Sequence, residues 1–476
     1  MGLVLLAGVA TAFTAARASV PVLVAFLGVG MLLGSEGLGG IEFDDPDLAR
    51  TVGIVGLVAI LFEGGLATRW RDIRPIVVPA ALLSTVGVAV TALAAGLAAY
   101  LLFDDLSLSV ALLLGAVVGS TDAAAVFATL RFTSLRRRLA ALLEAESGAN
   151  DPMAVALTLG LVAWVTTDGY GGWDLALLLV RQLGLGLVLG LALGLLAAWV
   201  FPRLPAELAP FAPVLSLATA AVSFGVVDVA GGSGFLAVYI VGLFIGNVPG
   251  PFTRAIVAFH HGLAFLAQIV LFVVLGLLVF PSNLAEVILP GLALAAVLLV
   301  VARPLAVLAS LPFPVPGLGV RERVFVGWAG LRGAVPIVLA TFALSADVGE
   351  SDLIFDAVFF VVLVSAVTQG PTLEPLARRL GLATEARPLH VEPLEVGAIR
   401  SLGADVLEFP VDERSRVVGK RLRELGLPAD AVVVVIVRDL AAVPPRGSTE
   451  ILAGDRVYVL VRGAARPAVE DVFTAV

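Results

Sequence analysis

Through roughly the first 371 residues, apolar stretches recur with short polar or acidic runs between them. Read as spans they number about thirteen, at roughly 3–16, 20–34, 52–67, 76–103, 108–130, 139–166, 174–201, 210–228, 233–247, 256–280, 287–310, 322–345 and 353–371. A helix needs about 20 mostly apolar residues to cross hydrocarbon. Only helices and closed barrels satisfy the backbone in lipid, and these runs are too long and continuous for barrel strands. The pattern predicts an all-α polytopic membrane protein. The first run, Leu3 to Ala16, is short, lacks a basic flank, and reads as a first span rather than a cleaved signal peptide.

Near Arg387 the pattern changes. Residues 404–427 are charged and amphipathic; the β-branched runs "AVVVVIVRD" and "DRVYVLVRG" follow, separated by the turn chemistry of "VPPRGSTEILAGD". The expected division is a membrane domain over 1–385, a linker over 386–392 and a small α+β domain over 393–476.

Charge tests the span count independently, because cytoplasmic loops collect Arg and Lys. Alternate loops carry Arg17; Arg69, Arg71 and Arg74; Arg131 and Arg136 to Arg138; Arg203; Arg254; Arg321 and Arg323; Arg378 and Arg379. The intervening loops are acidic or neutral: "EFDDPD", "FDDLS", "TTDGYGGWD", "DVAGGSG", "PSNLAE" and "SADVGESD". One span missed or invented would break this alternation. It predicts an odd count, the N-terminus outside and the C-terminal domain in the cytoplasm. Composition agrees, at 59% hydrophobic and 14% charged residues with mean hydropathy +1.05. The net charge of -8 adds little, since charges divide by loop, and acids and bases interspersed in the tail point to no nucleic-acid partner. The absence of cysteine excludes disulfides and thiolate metal sites.

Polar residues inside the spans carry the candidate chemistry, because a charge at the bilayer centre costs about 2.5–3.5 kcal/mol or more. Asp122 sits mid-span in "GSTDAAAVF", where small and hydroxyl residues favour a local break in the helix. Such a break survives at membrane depth only inside protein or beside a water-filled cavity. In "ESGANDP", Ser147, Asn150 and Asp151 share a helix face with Glu146 a turn away, and Pro152 removes a backbone donor. Arg332 lies mid-span in "GWAGLRGAVPIVLA", seven spans after the "GSTD" segment. Interrupted helices in corresponding places are what inverted-repeat transporters use at their binding sites. Arg303 in "VARPLAV" reads either as a second buried arginine or as a side chain snorkelling to the inner face. Glu63 in "ILFEGGLA" is a snorkelling or functional carboxylate, and His260 and His261 read as interfacial.

Asp151, Asp122, Ser147 and Thr121 offer hard oxygen ligands only, which suits a small monovalent cation or a proton. Burial favours the neutral acid at Asp151 and a nearby cation favours the carboxylate, so proton and cation exclude each other. With Asn150 neutral, one proton for one monovalent cation is the simplest expectation. A channel would need carbonyl-lined filter loops, and none is present. An intramembrane aspartyl protease would leave Asn150 and Arg332 without a role. A sodium-coupled solute symporter needs a larger polar or aromatic pocket, against 7% aromatic residues here.

"ILFEGGL", "GSTDAAAVF", "ESGANDP" and "GWAGLRGAVPIVLA", in that order, resemble the monovalent cation:proton antiporter-1 family, the NhaP-type exchangers. The tail from about 393 resembles a TrkA-C (RCK C-terminal) domain. The resemblance implies a transporter rather than an enzyme. It also implies crossing broken helices, a moving six-helix core and a homodimer in the cell inner membrane. Asp151 is then the cation and proton carboxylate, Asn150 its amide neighbour, Thr121 and Asp122 the unwound crossing, and Ser147 a ligand. Glu146 and Arg332 form the core ion pair, and Glu63 is an Asn150 partner or a carboxylate on the ion's way in. The tail favours K+ over Na+ as substrate, and implies a possible nucleotide regulator such as cyclic di-AMP.

Overall fold

The computed structural model describes Gly2 and residues 22–122, 125–127, 130, 134–248, 252–311, 315, 317–384, 404–412, 415–438, 441–462 and 465–474. The expected first span and the 386–392 linker lie outside the described residues. The chain divides into two compact units, Met1–Ala386 and Arg387–Val476.

The first unit is helical. Its helices are α1 (Val22–Leu33), α2 (Pro46–Ala67), α3 (Trp70–Leu102), α4 (Leu108–Val117), α5 (Arg137–Thr166) and α6 (Gly172–Val200). They continue with α7 (Ala212–Val229), α8 (Gly234–Asn247), α9 (Thr253–Leu277) and α10 (Val287–Ser310). The last three are α11 (Val320–Trp328), α12 (Ala334–Ser345) and α13 (Ser351–Arg379). Among the described residues eight helices are long and apolar enough to cross a membrane, with shorter apolar helices between them. Every expected span from the second to the thirteenth contains a described helix; 322–345 holds a pair of half-helices, and 108–130 holds α4 and a helical turn at 125–127.

Local chemistry explains the boundaries. α2 begins six residues ahead of the expected start because Asp45 caps it, accepting from Leu48 N–H at 2.9 Å, with Pro46 in the first turn. Ser107 caps α4 in the same way. α3 and α10 each contain a π-helical turn, Leu83–Gly87 and Leu298–Ala302. The second of these turns runs directly into Arg303 and Pro304, where proline removes a backbone donor. Glycines set a close crossing of α2 and α8. A Cβ at Gly65 would overlap the carbonyl of Tyr239, and one at Gly242 or Gly246 would overlap the backbone of α2. Small residues at such a crossing let two backbones pack by van der Waals contact where no hydrophobic force separates helix from lipid.

Two short strands close the helical unit. β1 (Ser134–Leu135) precedes α5, and β2 (Ala383–Thr384) follows α13; they pair antiparallel. Arg136, next to β1, donates from its backbone to Leu382 O at 3.4 Å and from its guanidinium to Gly381 O at 3.1 Å. It also pairs with Glu322 of α11 at 3.0 Å. One arginine thus ties the start of α5, the start of α11 and the exit from α13.

The second unit is a four-stranded antiparallel sheet in the order β3 (Ala404–Pro410), β6 (Arg456–Arg462), β4 (Ala431–Arg438), β5 (Ala441–Val443). The two β-branched runs form the central strands, as expected. β3, which reads in sequence only as amphipathic, is the third long strand. Val457, Val459 and Val461 alternate into a core with Ile436, Phe409, Val469 and Phe473, and α14 (Arg466–Thr474) supplies the last two. Phe409 and Phe473 stack at 4.6 Å.

Candidate ion-exchange site

Two of the expected spans are broken, each where glycine and polar residues interrupt an apolar run. α4 stops at Val117, and Val118 to Asp122 are not helical. α11 stops at Trp328, and Ala329 to Gly333 lead into α12. The two breaks meet: Asp122 N–H donates to Leu331 O at 2.8 Å.

A break at membrane depth exposes backbone groups that lipid cannot satisfy. Side chains do so here. The Arg332 guanidinium donates to Gly119 O at 3.0 Å and Ser120 O at 2.6 Å, carbonyls that α4 would have used had it continued. Asp122 Oδ1 accepts from Ala125 N–H at 3.1 Å and so caps the short helical turn that resumes there. The Asp122 carboxylate also lies against Gly333, where a Cβ would collide with it, just ahead of the first turn of α12.

α5 presents its polar face to the first break. Ser147 Oγ donates to Thr121 O at 3.1 Å; Asn150 Nδ2 donates to Thr121 Oγ1 at 2.6 Å and Thr121 O at 3.3 Å. Asp151 follows, 7% exposed, and its Oδ1 has no hydrogen-bond partner among the described residues. The Oδ1 of Asn150 is likewise unpartnered. The structure therefore gathers Thr121, Asp122, Ser147, Asn150 and Asp151 at one place. Gly148 lets α5 approach α8, since a side chain there would overlap the Tyr239 ring.

The supporting charges are arranged differently from the sequence reading. Glu146 pairs with Arg303 at 2.5 Å, both side chains at most 4% exposed, instead of with Arg332. Arg332 is held by the Gly119 and Ser120 carbonyls. This also excludes the snorkelling alternative for Arg303. Glu63 is not an Asn150 partner: it pairs with His261 at 3.2 Å, and Asn150 is bound to Thr121. His260 is not interfacial. It is 1% exposed, shares a 2.8 Å hydrogen bond with Ser216 Oγ, and meets the Phe62 ring edge-on at 4.6 Å. Consecutive helical residues point about 100° apart, so one histidine faces inward and the next outward.

Sequence reasoning missed Ser365 and Gln369 on α13, four residues apart. Ser365 Oγ accepts from Arg332 N–H at 3.2 Å and donates to Gln369 Oε1, while Gln369 Nε2 donates to Trp328 O at 2.7 Å. The signal was present in "VVLVSAVTQG", where Ser365 and Gln369, four apart on one helix face, follow an apolar run.

Half-helices that cross at membrane depth, with a buried carboxylate beside the crossing, define a polytopic secondary transporter for a small cation. The family model described as "Sodium/hydrogen exchanger, transmembrane" matches residues 2–379, and the TrkA-C domain model matches 406–474. The chain belongs to the sodium/hydrogen exchanger family. It is 39% identical over 480 residues to the K(+)/H(+) antiporter NhaP of Alkalimonas amylolytica, covering 100% of this chain and 83% of the relative. It is 39% identical over 460 residues to the K(+)/H(+) antiporter NhaP2 of Shewanella oneidensis, covering 96% of this chain and 80% of that one. Among solved structures it resembles the sodium proton antiporter MjNhaP1 from Methanocaldococcus jannaschii, with TM-score 0.71 and 25% identity. That match covers 80% of this chain and 97% of the other.

Proposed function

We propose that the protein exchanges a monovalent cation for a proton across the cell inner membrane, one for one, with K+ as the favoured cation. Family membership supports cation/proton antiport over symport or channel conduction. K+ is favoured because the two relatives matched over nearly the whole chain, tail included, bear K+/H+ names. The observation that carries the site is the buried Asp151 carboxylate, whose Oδ1 has no hydrogen-bond partner among the described residues, next in the chain to Asn150, which with Ser147 is bonded to Thr121. A proton or a cation satisfies that oxygen, and occupancy by one excludes the other.

Charge at the crossing supports the stoichiometry. Asp122, Asp151 and Glu146 face Arg303 and Arg332, which leaves one negative charge in excess. Either a proton or a monovalent cation cancels it. The loaded core crosses hydrocarbon at lower electrostatic cost than the empty one, which couples the two fluxes without net charge movement. The arginine-rich loops support a cytoplasmic tail. The family resemblance supports a homodimer and a small-molecule regulator, a nucleotide such as cyclic di-AMP, at the tail.

Reconstituted vesicles test this reading. With an imposed pH gradient, added K+ is expected to dissipate it, Na+ less effectively, and Asp151→Asn not at all. Exchange that persists in Asp151→Asn would refute the site. Cyclic di-AMP is expected to raise the melting temperature of the full-length protein.

A further inference from the structure

We propose that Ser365 and Gln369 are positioning residues for the exchange site: together they clamp the second break and thereby set where the first break presents Thr121 to the ion. The proposal rests on the reading of the Asp151 region as the exchange site.

The second break frees backbone groups from helical pairing. Trp328 O lies at the C-terminal end of α11, and the Arg332 amide lies in the stretch that leads into α12; each needs a partner away from water. α13 supplies both from one face. Ser365 Oγ takes the Arg332 amide, and Gln369 Nε2 gives to Trp328 O. The Ser365 hydroxyl proton goes to Gln369 Oε1, so the two side chains form one unit. Both residues are 2% exposed. The chain continues outward, since Trp328 Nε1 donates to Thr372 Oγ1 at 2.9 Å, one turn further along α13.

This unit grips the segment that holds the first break. Leu331 O receives the Asp122 amide, and the Arg332 guanidinium holds Gly119 O and Ser120 O. Thr121 sits between those bonds and offers its carbonyl and hydroxyl to Ser147 and Asn150. Neither Ser365 nor Gln369 bonds a residue of the ion site directly. Their effect passes through Leu331 and Arg332 to Thr121.

A cavity of about 10 Å³ borders the clamp, lined by Arg303, Gly330, Arg332, Ser365 and Gln369 among others. That is room for about one water. A hydroxyl removed at position 365 can therefore be replaced by water. A methionine at position 369 fills the space of the amide and supplies no strong hydrogen bond. Gln369→Met is expected to be the more damaging change, Ser365→Ala the milder, and Ser365→Thr, which keeps the hydroxyl, close to the parent protein.

The test is cation-dependent exchange by the full-length protein in vesicles, normalised to incorporated protein, with K+ varied at fixed pH. Gln369→Met is expected to raise the KM for K+ about tenfold, the net scale of losing the bonds to both Ser365 and Trp328, with a smaller change in maximal rate. The double variant Ser365→Ala/Gln369→Met is expected to be no worse than Gln369→Met, because coupled residues are non-additive. An unchanged KM in both Gln369→Met and Ser365→Ala would overturn the clamp, as would multiplicative effects in the double variant. A loss in maximal rate alone, with KM constant and unrescued by Ser365→Thr, would overturn it too. Those outcomes are distinct from failure of the underlying reading, which shows as exchange in Asp151→Asn or none in the parent protein.

Discussion

At the scale of single residues, the proposed exchange site divides into groups placed to meet an ion and groups that hold them. The Glu146–Arg303 pair holds. Removing one member strands a buried charge, at a cost of about 3–5 kcal/mol, whereas replacing both with apolar groups is much milder. Glu146→Gln and Arg303→Met are each expected to lower the melting temperature in detergent more than the double variant Glu146→Leu/Arg303→Met, as followed by tryptophan fluorescence. The candidate cation residues were legible in the sequence because cost and neighbourhood marked them: Asp151 beside Asn150 and Pro152, Asp122 behind Gly119 and Ser120. Their partners were not. Sequence tells that a charge is present but not which way it points, and Arg303 and Arg332 compete for Glu146 from equally apolar runs. The split between His260 and His261 was partly recoverable, since adjacent positions on a helix point about 100° apart.

At the scale of elements, hydrophobic runs located the helices well, because length in lipid is set by thickness rather than by tertiary contacts. They did not show the π turns, which depend on packing against neighbours. Nor did they show the glycine crossing of α2 and α8. Gly242→Leu is expected to force these helices apart, because its Cβ already overlaps Phe62 O. Overpacking of this kind costs typically about 1–3 kcal/mol, and more against backbone; the expected result is a smaller folded fraction on size-exclusion chromatography. In the tail, β4 and the turn before β6 are joined by Arg438, which grips both Asp455 carboxylate oxygens at 2.8 Å. The guanidinium, with the Leu452 amide, holds the Asp455 carboxyl below the usual range. In an unfolded chain aspartate titrates near about 3.9. This contribution is therefore complete above that pH and is lost as pH falls through the lower folded value. Melting of the tail is expected to drop below about pH 4, and Asp455→Asn to flatten that drop.

For the whole molecule, the excess of one negative charge at the crossing predicts exchange that is indifferent to voltage. With K+ equal on both sides, clamping the potential at zero with valinomycin is expected to leave the rate of pH equilibration unchanged; acceleration would argue for unequal stoichiometry. The strap between β1 and β2 carries a different consequence, one of timing. It joins Ser134 to Thr384, so it cannot exist until nearly all of the helical unit has been synthesised. The bonds of Arg332 to Gly119 and Ser120 wait in the same way for the twelfth span. Contacts between such distant positions form late, after local helices. A ribosome that has delivered "ESGANDP" to the membrane has delivered the proposed ligands without a site. The carboxylates wait beside unfinished helices until the second break arrives, and the last helix then ties it shut.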